Sequence, residues 1–212
     1  MRFLLYNIAY GTGAPRGYAH RALTMHRYLR SHRHHIEALH DFISGLKLDV
    51  VGLVELDTGS FRAGGTNHAV EIARLLAHDY AYSSKYRHGS LGRLLPILRH
   101  QGNALFANGK LREREHHWLP VGFKRLVLEA QVHGVRFLLV HLALNKHTRA
   151  KQIEYLIRII GESRTPVIVA GDFNTFQGAD ELLALMAQTG LQTANQAGHP
   201  TYPAWDARKE LD

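Results

Sequence analysis

The chain has 212 residues, 45% of them hydrophobic, and a formal net charge of +8. That length supports one domain with a sizeable core, and the basic excess favours an anionic partner, nucleic acid or phospholipid surface alike. The lack of cysteine excludes disulfides and thiolate metal sites, and no apolar run reaches the ~20 residues of a membrane span. In chain order, residues 2–7 read as a strand with an amide, Asn7, late in it. Because this strand begins almost at the first residue, no leader peptide is expected and the location is expected to be cytoplasmic. Residues 9–17 form a glycine-containing loop whose spacing is not that of a dinucleotide fingerprint. Ile36, Leu39, Ile43 and Leu46 then recur as the apolar stripe of a helix. His32, His34, His35 and His40 lie near its start. The placement of Glu37 does not match the zinc-protease helix, so these histidines read as a solvated basic face.

Residues 49–55 read as a second strand ending in a carboxylate, Glu55. The loop after it, with Asp57 and Arg62, is expected to line the rim of a site. Ala69, Ile72, Ala73 and Leu76 mark another helix, and residues 80–85 alternate as a strand could. Lys85, Arg87, His88, Arg93, Arg99 and His100 make the segment up to 101 a basic loop, either beside the active face or a plain exposed linker. Residues 102–107 are a strand, and Asn108-Gly109 signals a hairpin to a partner strand over 111–119. His133-Gly134 signals a second hairpin, joining 126–132 to 135–141 and ending in an imidazole, His141. A helix follows with Ile153, Leu156, Ile157 and Ile160 on one face and Arg149 and Gln152 in its first turns. The apolar run 167–170 reads as a buried strand that ends at Gly171, with Asp172 and Asn174 beyond it. Two residues apart on an extended segment, these side chains would point to one side. By themselves they fit a site or an ordinary Asp/Asn turn. Leu182, Leu185 and Met186 mark a last helix. Two hairpins argue against a purely parallel sheet.

Asn7, Glu55, His141 and then Gly171-Asp172-Phe173-Asn174, in that order on strand ends, resemble the endonuclease/exonuclease/phosphatase superfamily, the deoxyribonuclease I-like metal-dependent phosphodiesterases. The resemblance runs over essentially the whole chain, and the Gly-Asp-x-Asn segment is its most specific part. It implies an α+β fold, a four-layer αββα sandwich of two mixed β-sheets flanked by helices, as a single domain over 1–212. It also implies a Mg²⁺-dependent hydrolase of phosphodiester or phosphomonoester bonds, with Mn²⁺ as a substitute. Glu55 would hold the metal, with Asn7 on metal-bound water or phosphate. Asp172 would activate water, and Asn174 would donate to the phosphate. His141, if protonated, would add a donor or acid, and Asn103, in a Gly-Asn-Ala segment like one near the family's site, would contact substrate.

One departure stands out. The family continues past a Leu-Asp like Leu211-Asp212 into a further strand and an Asp-His pair; here Asp212 would match the carboxylate that orients that histidine, and the pair itself is missing. A non-catalytic phosphate- or nucleic-acid-binding scaffold is therefore the alternative. Leu56-Asp57 after Glu55 departs from the Thr-Lys of abasic-site endonucleases and resembles the branch acting on phospholipids or small phosphodiesters. The implied partner is an anionic phosphate-containing substrate: nucleic acid, phospholipid headgroup or small phosphodiester. No obligate protein partner is evident.

Overall fold

The structure is a computed structural model that describes residues 1–12, 33–86, 89–203 and 205–211. Two four-stranded mixed sheets form its centre. The first holds β1 (Phe3–Asn7), β2 (Val50–Asp57), β3 (Asp79–Ser84) and β4 (Gln101–Ala107) in the order β1-β2-β4-β3. The second holds β5 (Arg112–Trp118), β6 (Leu126–Val132), β7 (Val135–His141) and β8 (Val167–Asp172) in sequence order. Each sheet has one parallel pair at an edge, β1 with β2 and β7 with β8, and is otherwise antiparallel. Among the described residues the α-helices are α1 (Arg33–Gly45), α2 (His68–Leu76), α3 (Lys146–Gly161) and α4 (Leu183–Thr189).

Alternation along the strands builds three apolar layers. On β6, Leu128, Ala130 and Val132 face the other sheet while Val127 faces the helices; on β7, Phe137 and Leu139 face inward and Leu138 and Val140 outward. Ile43 and Leu39 of α1 and Ile72 of α2 pack with Val51, Leu53 and Phe106 on the outer face of the first sheet. Ile153, Leu156 and Ile160 of α3 and Leu185 of α4 cover the second. The order helix, sheet, sheet, helix is the expected αββα sandwich, and it follows from strands that must be apolar on both faces. Asn67 caps α2 by accepting from the Ala69 and Val70 amides, and Asn145 caps α3 by accepting from Thr148. Among the described residues, no helix is long and apolar enough to cross a membrane.

The expected hairpin at Asn108-Gly109 is not formed. β4 lies between β2 and β3, with both of its edges already paired, so the chain after it crosses to the second sheet, where β5 pairs with β6. The crossing is held by Asn108, whose backbone amide and side chain both donate to Asp49, and by Leu111, which is buried between the sheets and donates its amide to Asp79. The hairpin at His133-Gly134 does form. The described part of the basic loop contains two short 3₁₀ turns, Leu91–Leu94 and Leu98–His100; Arg87 and His88, the end of the 9–17 loop and His32 lie outside the described residues, as does the side chain of His34.

On the outer face of β6, Glu129 is 6% exposed and accepts from Arg136 at 2.5 and 2.8 Å and from His117 at 2.6 Å. Arg136 also donates to the Ile159 carbonyl, tying β7 to α3. Burial opposes ionisation of Glu129, but the hydrogen bonds from His117 and Arg136 outweigh it and hold the carboxyl down to about 2. A folded-state pKa below the unfolded one adds stability that is complete above the ordinary glutamate range and is lost as pH falls toward 2. Glu129→Gln is therefore expected to cost on the order of 2 kcal/mol at pH 7, allowing for partial solvent access. Urea melts of both proteins should converge between pH ~4.3 and ~2; a gap as wide at the acid end as at neutrality would show that the pair does not stabilise the fold.

Candidate active site

Because β2, β3, β7 and β8 run the same way in their sheets, their C-terminal ends gather polar groups at one end of the sandwich. Asn7, at the end of β1, donates from Nδ2 to Asp172 Oδ2 at 3.2 Å, and its Oδ1 accepts the Ala9 amide at 3.0 Å. These two residues, 165 apart in sequence, connect the sheets across their parallel edges.

Glu55 reaches the site through a break in β2. The register against β4 shifts between Leu53 and Leu56, and Glu55 has φ +61°. Leu53 and Leu56 both face the α1–α2 layer, with Val54 facing the other way, so one extra residue is accommodated. A left-handed glutamate costs ~1 kcal/mol or more; here the bulge turns its side chain toward the strand ends instead of into a core. The Glu55 amide donates to Asn103 Oδ1 at 3.4 Å. Asn103 is 1% exposed, and its Nδ2 has no acceptor among the described residues, as expected of a group that receives a ligand oxygen.

Gly171 sets the height of the Asp172 loop. Its φ is +152°, and a Cβ there would stand 1.9 Å from the Val140 carbonyl oxygen of β7. Asp172 then accepts the Asn174 amide on Oδ1 at 3.1 Å, while its Oδ2 lies 3.4 Å from His141 Nε2. The extended geometry expected for Asp172 and Asn174 is not adopted. Asn174 has φ +54° and turns its Nδ2 back onto the Leu142 carbonyl at 2.9 Å. The segment is thus an Asx turn as well as part of the site, and Asn174 braces the exit of β7, with the expected phosphate contact already given to protein.

His141 is 2% exposed. Burial first, then the neighbouring Lys85 and Lys124, push its pKa well below the usual imidazole range. The surroundings thus disfavour the protonated form that the expected role as a donor or acid requires. Its Nδ1 lies 3.1 Å from Lys85 Nζ, and its Nε2 lies 3.4 Å from Asp172 Oδ2. Lys124 Nζ also touches Nε2.

Two lysines complete the site: Lys124 was not singled out from the sequence, and Lys85 was read only as part of a basic loop either beside the active face or plainly exposed. Lys85 follows the last residue of β3 and is 4% exposed; its Nζ donates to Tyr10 Oη at 3.1 Å, sits over the Tyr10 ring at 5.2 Å and lies 3.7 Å from Glu55 Oε1. Burial lowers its pKa to about 8 against the opposing pull of Glu55. Lys124, in the loop between β5 and β6, lies 4.0 Å from the same oxygen, and burial lowers its pKa too, against Glu55 and Asp172. Its loop is pinned by Gln152, which donates to the Val121 and Lys124 carbonyls and accepts the Ala143 amide. Arg149 donates to the Ala143 and Leu144 carbonyls and pairs with Glu181, so both residues of α3 hold loops, as read from the sequence. A polar residue directly after a strand pointing to the site was a usable signal for Lys85; nothing in the local pattern marks Lys124.

Asp57 and Arg62 do not line the rim. They form a buried ion pair at 2.7 Å, with Arg62 stacked 4.6 Å over Tyr10, beneath the site. Asp212 lies outside the described residues; Leu211 just before it is buried and accepts the Phe173 amide at 2.7 Å.

Glu55, Asp172 and the Asn7 carbonyl offer oxygen ligands, the kind Mg²⁺ prefers, and the two ammonium groups near Glu55 show that this position attracts positive charge. A second group, Glu115, His117 and Glu129, has ligand atoms within 4.8 Å of one another, but it lies on the outer face of the second sheet, and Arg136 already neutralises Glu129.

The fold matches known structures at low sequence identity. A functionally unknown conserved protein from Enterococcus faecalis superposes with a TM-score of 0.61 at 14% identity, covering 88% of this chain and 72% of that one. An endonuclease/exonuclease/phosphatase from Bacteroides vulgatus gives 0.57 at 17% identity, covering 88% and 70%. Truncated TDP2 from Caenorhabditis elegans gives 0.49 at 15% identity over 69% of this chain, which spans 56% of the length of that protein. No curated protein matches the sequence. Residues 4–212 match the Endonuclease/Exonuclease/phosphatase family, and the chain belongs to it.

Proposed function

We propose that the chain is a Mg²⁺-dependent hydrolase of phosphodiester bonds, acting as one domain over residues 1–212 in a cytoplasmic setting. The observation that supports this reading is the convergence of Asn7, Glu55, His141 and Asp172 from both sheets within a few ångströms of one another. Glu55, with Asn7 beside it, would hold the metal, and Mg²⁺ bound there would neutralise charge on the phosphate and on the reacting oxygen. Asp172 has one oxygen committed to the Asn174 amide and the other to Asn7 and His141. That carboxylate is held in place to accept a proton from an attacking water. His141, its protonated form disfavoured by burial, lies beside Asp172 Oδ2 and would keep that carboxylate oriented. Lys85, at about 8, is the group in the site able to supply one near neutral pH. The +8 charge suits any anionic phosphodiester, whether nucleic acid, phospholipid headgroup or small molecule. The two lysines beside Glu55 also fit the second reading, a non-catalytic phosphate binder.

Hydrolysis of an aryl phosphodiester, followed across a Mg²⁺ titration, separates the two. Glu55→Gln is expected to raise the Mg²⁺ needed for half-maximal rate about tenfold and to lower the rate about 10²-fold, with circular dichroism in chelator showing that the fold is retained. A wild-type Mg²⁺ dependence in that variant would remove Glu55 from the metal site, and no hydrolysis by the wild type at any Mg²⁺ concentration would favour the binder.

A further inference from the structure

Two cations from different sheets converge on one carboxylate oxygen. Lys85 Nζ and Lys124 Nζ stand 3.7 and 4.0 Å from Glu55 Oε1. Both distances are longer than a hydrogen bond, so the ammonium groups are held as ion pairs without the short, directed N–H···O⁻ contacts that a charge-assisted bond would give. Glu55 itself sits on a bulge with φ +61°. Both lysines are nevertheless pre-positioned. Tyr10 accepts from Lys85, and Gln152 fixes the backbone that carries Lys124. His141 meets Lys85 on one ring nitrogen and Lys124 on the other. A third donor, Asn103 Nδ2, is buried beside the Glu55 backbone without an acceptor. The ammonium groups of Lys85, just past β3, and of Lys124 in the β5–β6 loop, with the Asn103 amide that has no acceptor among the described residues, make a cluster around Glu55 that is richer in donors than in acceptors. A tetrahedral oxyanion supplies several acceptors at once.

We propose that Lys85 and Lys124, with Asn103, form an anion site that takes a phosphate group directly, without a metal ion, and that Glu55 occupies the site as a stand-in anion until phosphate arrives. The phosphate is either free inorganic phosphate or the phosphate of a diester. This rests on the reading of the site as one that handles phosphate esters, and it assigns the oxygen-holding groups that reading left open. It also makes metal and phosphate mutually helpful. A cation on Glu55 displaces the lysines from that carboxylate by charge repulsion, phosphate gives them a new counter-ion, and each event favours the other.

The proposal has a signature that a metal site alone does not share. In chelator, Glu55 competes with phosphate for the lysines, so Glu55→Gln should bind phosphate about tenfold more tightly than the wild type, although it binds metal less well. Lys85→Met and Lys124→Met should each weaken binding about tenfold, and Lys85→Arg should retain most of it. The measurement is titration of the 212-residue chain with inorganic phosphate and, separately, with dimethyl phosphate, in EDTA at low salt, by calorimetry or ³¹P NMR. Circular dichroism and thermal melts confirm that each variant is folded. Binding of dimethyl phosphate as well as inorganic phosphate assigns the site to a diester, and binding of inorganic phosphate alone assigns it to the free ion. Binding that survives both lysine substitutions, or no binding even by Glu55→Gln, overturns the proposal. Loss of hydrolysis with phosphate binding intact would instead sink the hydrolase reading and leave the anion site standing.

Discussion

Asp172→Asn is expected to lower turnover by about 10³-fold while changing substrate affinity by less than tenfold. The side chain is 13% exposed and nearly isosteric with asparagine, so the loss is chemical. Its Oδ1 is used by the Asn174 amide, and its Oδ2 faces both the Asn7 amide and the His141 Nε2. An asparagine can keep one of these acceptor contacts but must present an NH₂ to the other, and it takes no proton from water. The test is kcat and KM for an aryl phosphodiester at saturating Mg²⁺, with a urea melt to show that the fold is retained. A rise in KM with kcat unchanged would point to a binding role, and wild-type rates would leave Asp172 as the first residue of a turn and nothing more.

Gly171→Ala is expected to destabilise the fold by about 4 kcal/mol or more, the largest single effect on stability predicted for this chain. A methyl group there would lie 1.9 Å from the Val140 carbonyl oxygen and 2.8 Å from the Val140 side chain, on a backbone with φ +152°. Neither neighbour can retreat, because Val140 is fully buried and paired directly with Gly171 in the β7–β8 ladder. The next rung is His141 with Asp172, so relief by parting the strands would also part the site. Gly190→Ala is the control: it too has positive φ, at the end of α4, but open space around it, and should cost only ~1 kcal/mol. Urea denaturation of both variants decides the matter. Equal midpoints would mean that the close approach of β8 to β7 is not rigid.

How much of this was legible beforehand depends on the range over which each feature is encoded. Strands apolar on both faces, helices with one apolar stripe, and the order of polar residues at strand ends are properties of a few adjacent residues. With the family resemblance that this order carries, they pointed to the αββα architecture and to the meeting of Asn7, Glu55, His141 and Asp172. The Asn108-Gly109 turn was also a local signal, but β4 had both edges taken by strands distant in sequence, and those pairings overrode it. Whether Asn174 would point with Asp172 or away from it depended on a left-handed residue and on the Leu142 carbonyl 32 positions earlier. The bulge that aims Glu55 is a mismatch between two strands and belongs to neither alone. Lys85 and Lys124 come from opposite sheets, so only the packing of one on the other brings both within 4.0 Å of Glu55 Oε1. The lowered pKa of His141 is likewise a tertiary property: a histidine at a strand end is written in the sequence, but the shift follows from burial and from two ammonium groups that folding delivers from elsewhere. The sequence by itself determined which residue types stand at the strand ends, because side-chain periodicity is local; their charge states, hydrogen-bond partners and lysine neighbours were decided only when the two sheets closed on each other, because those quantities depend on distance in space.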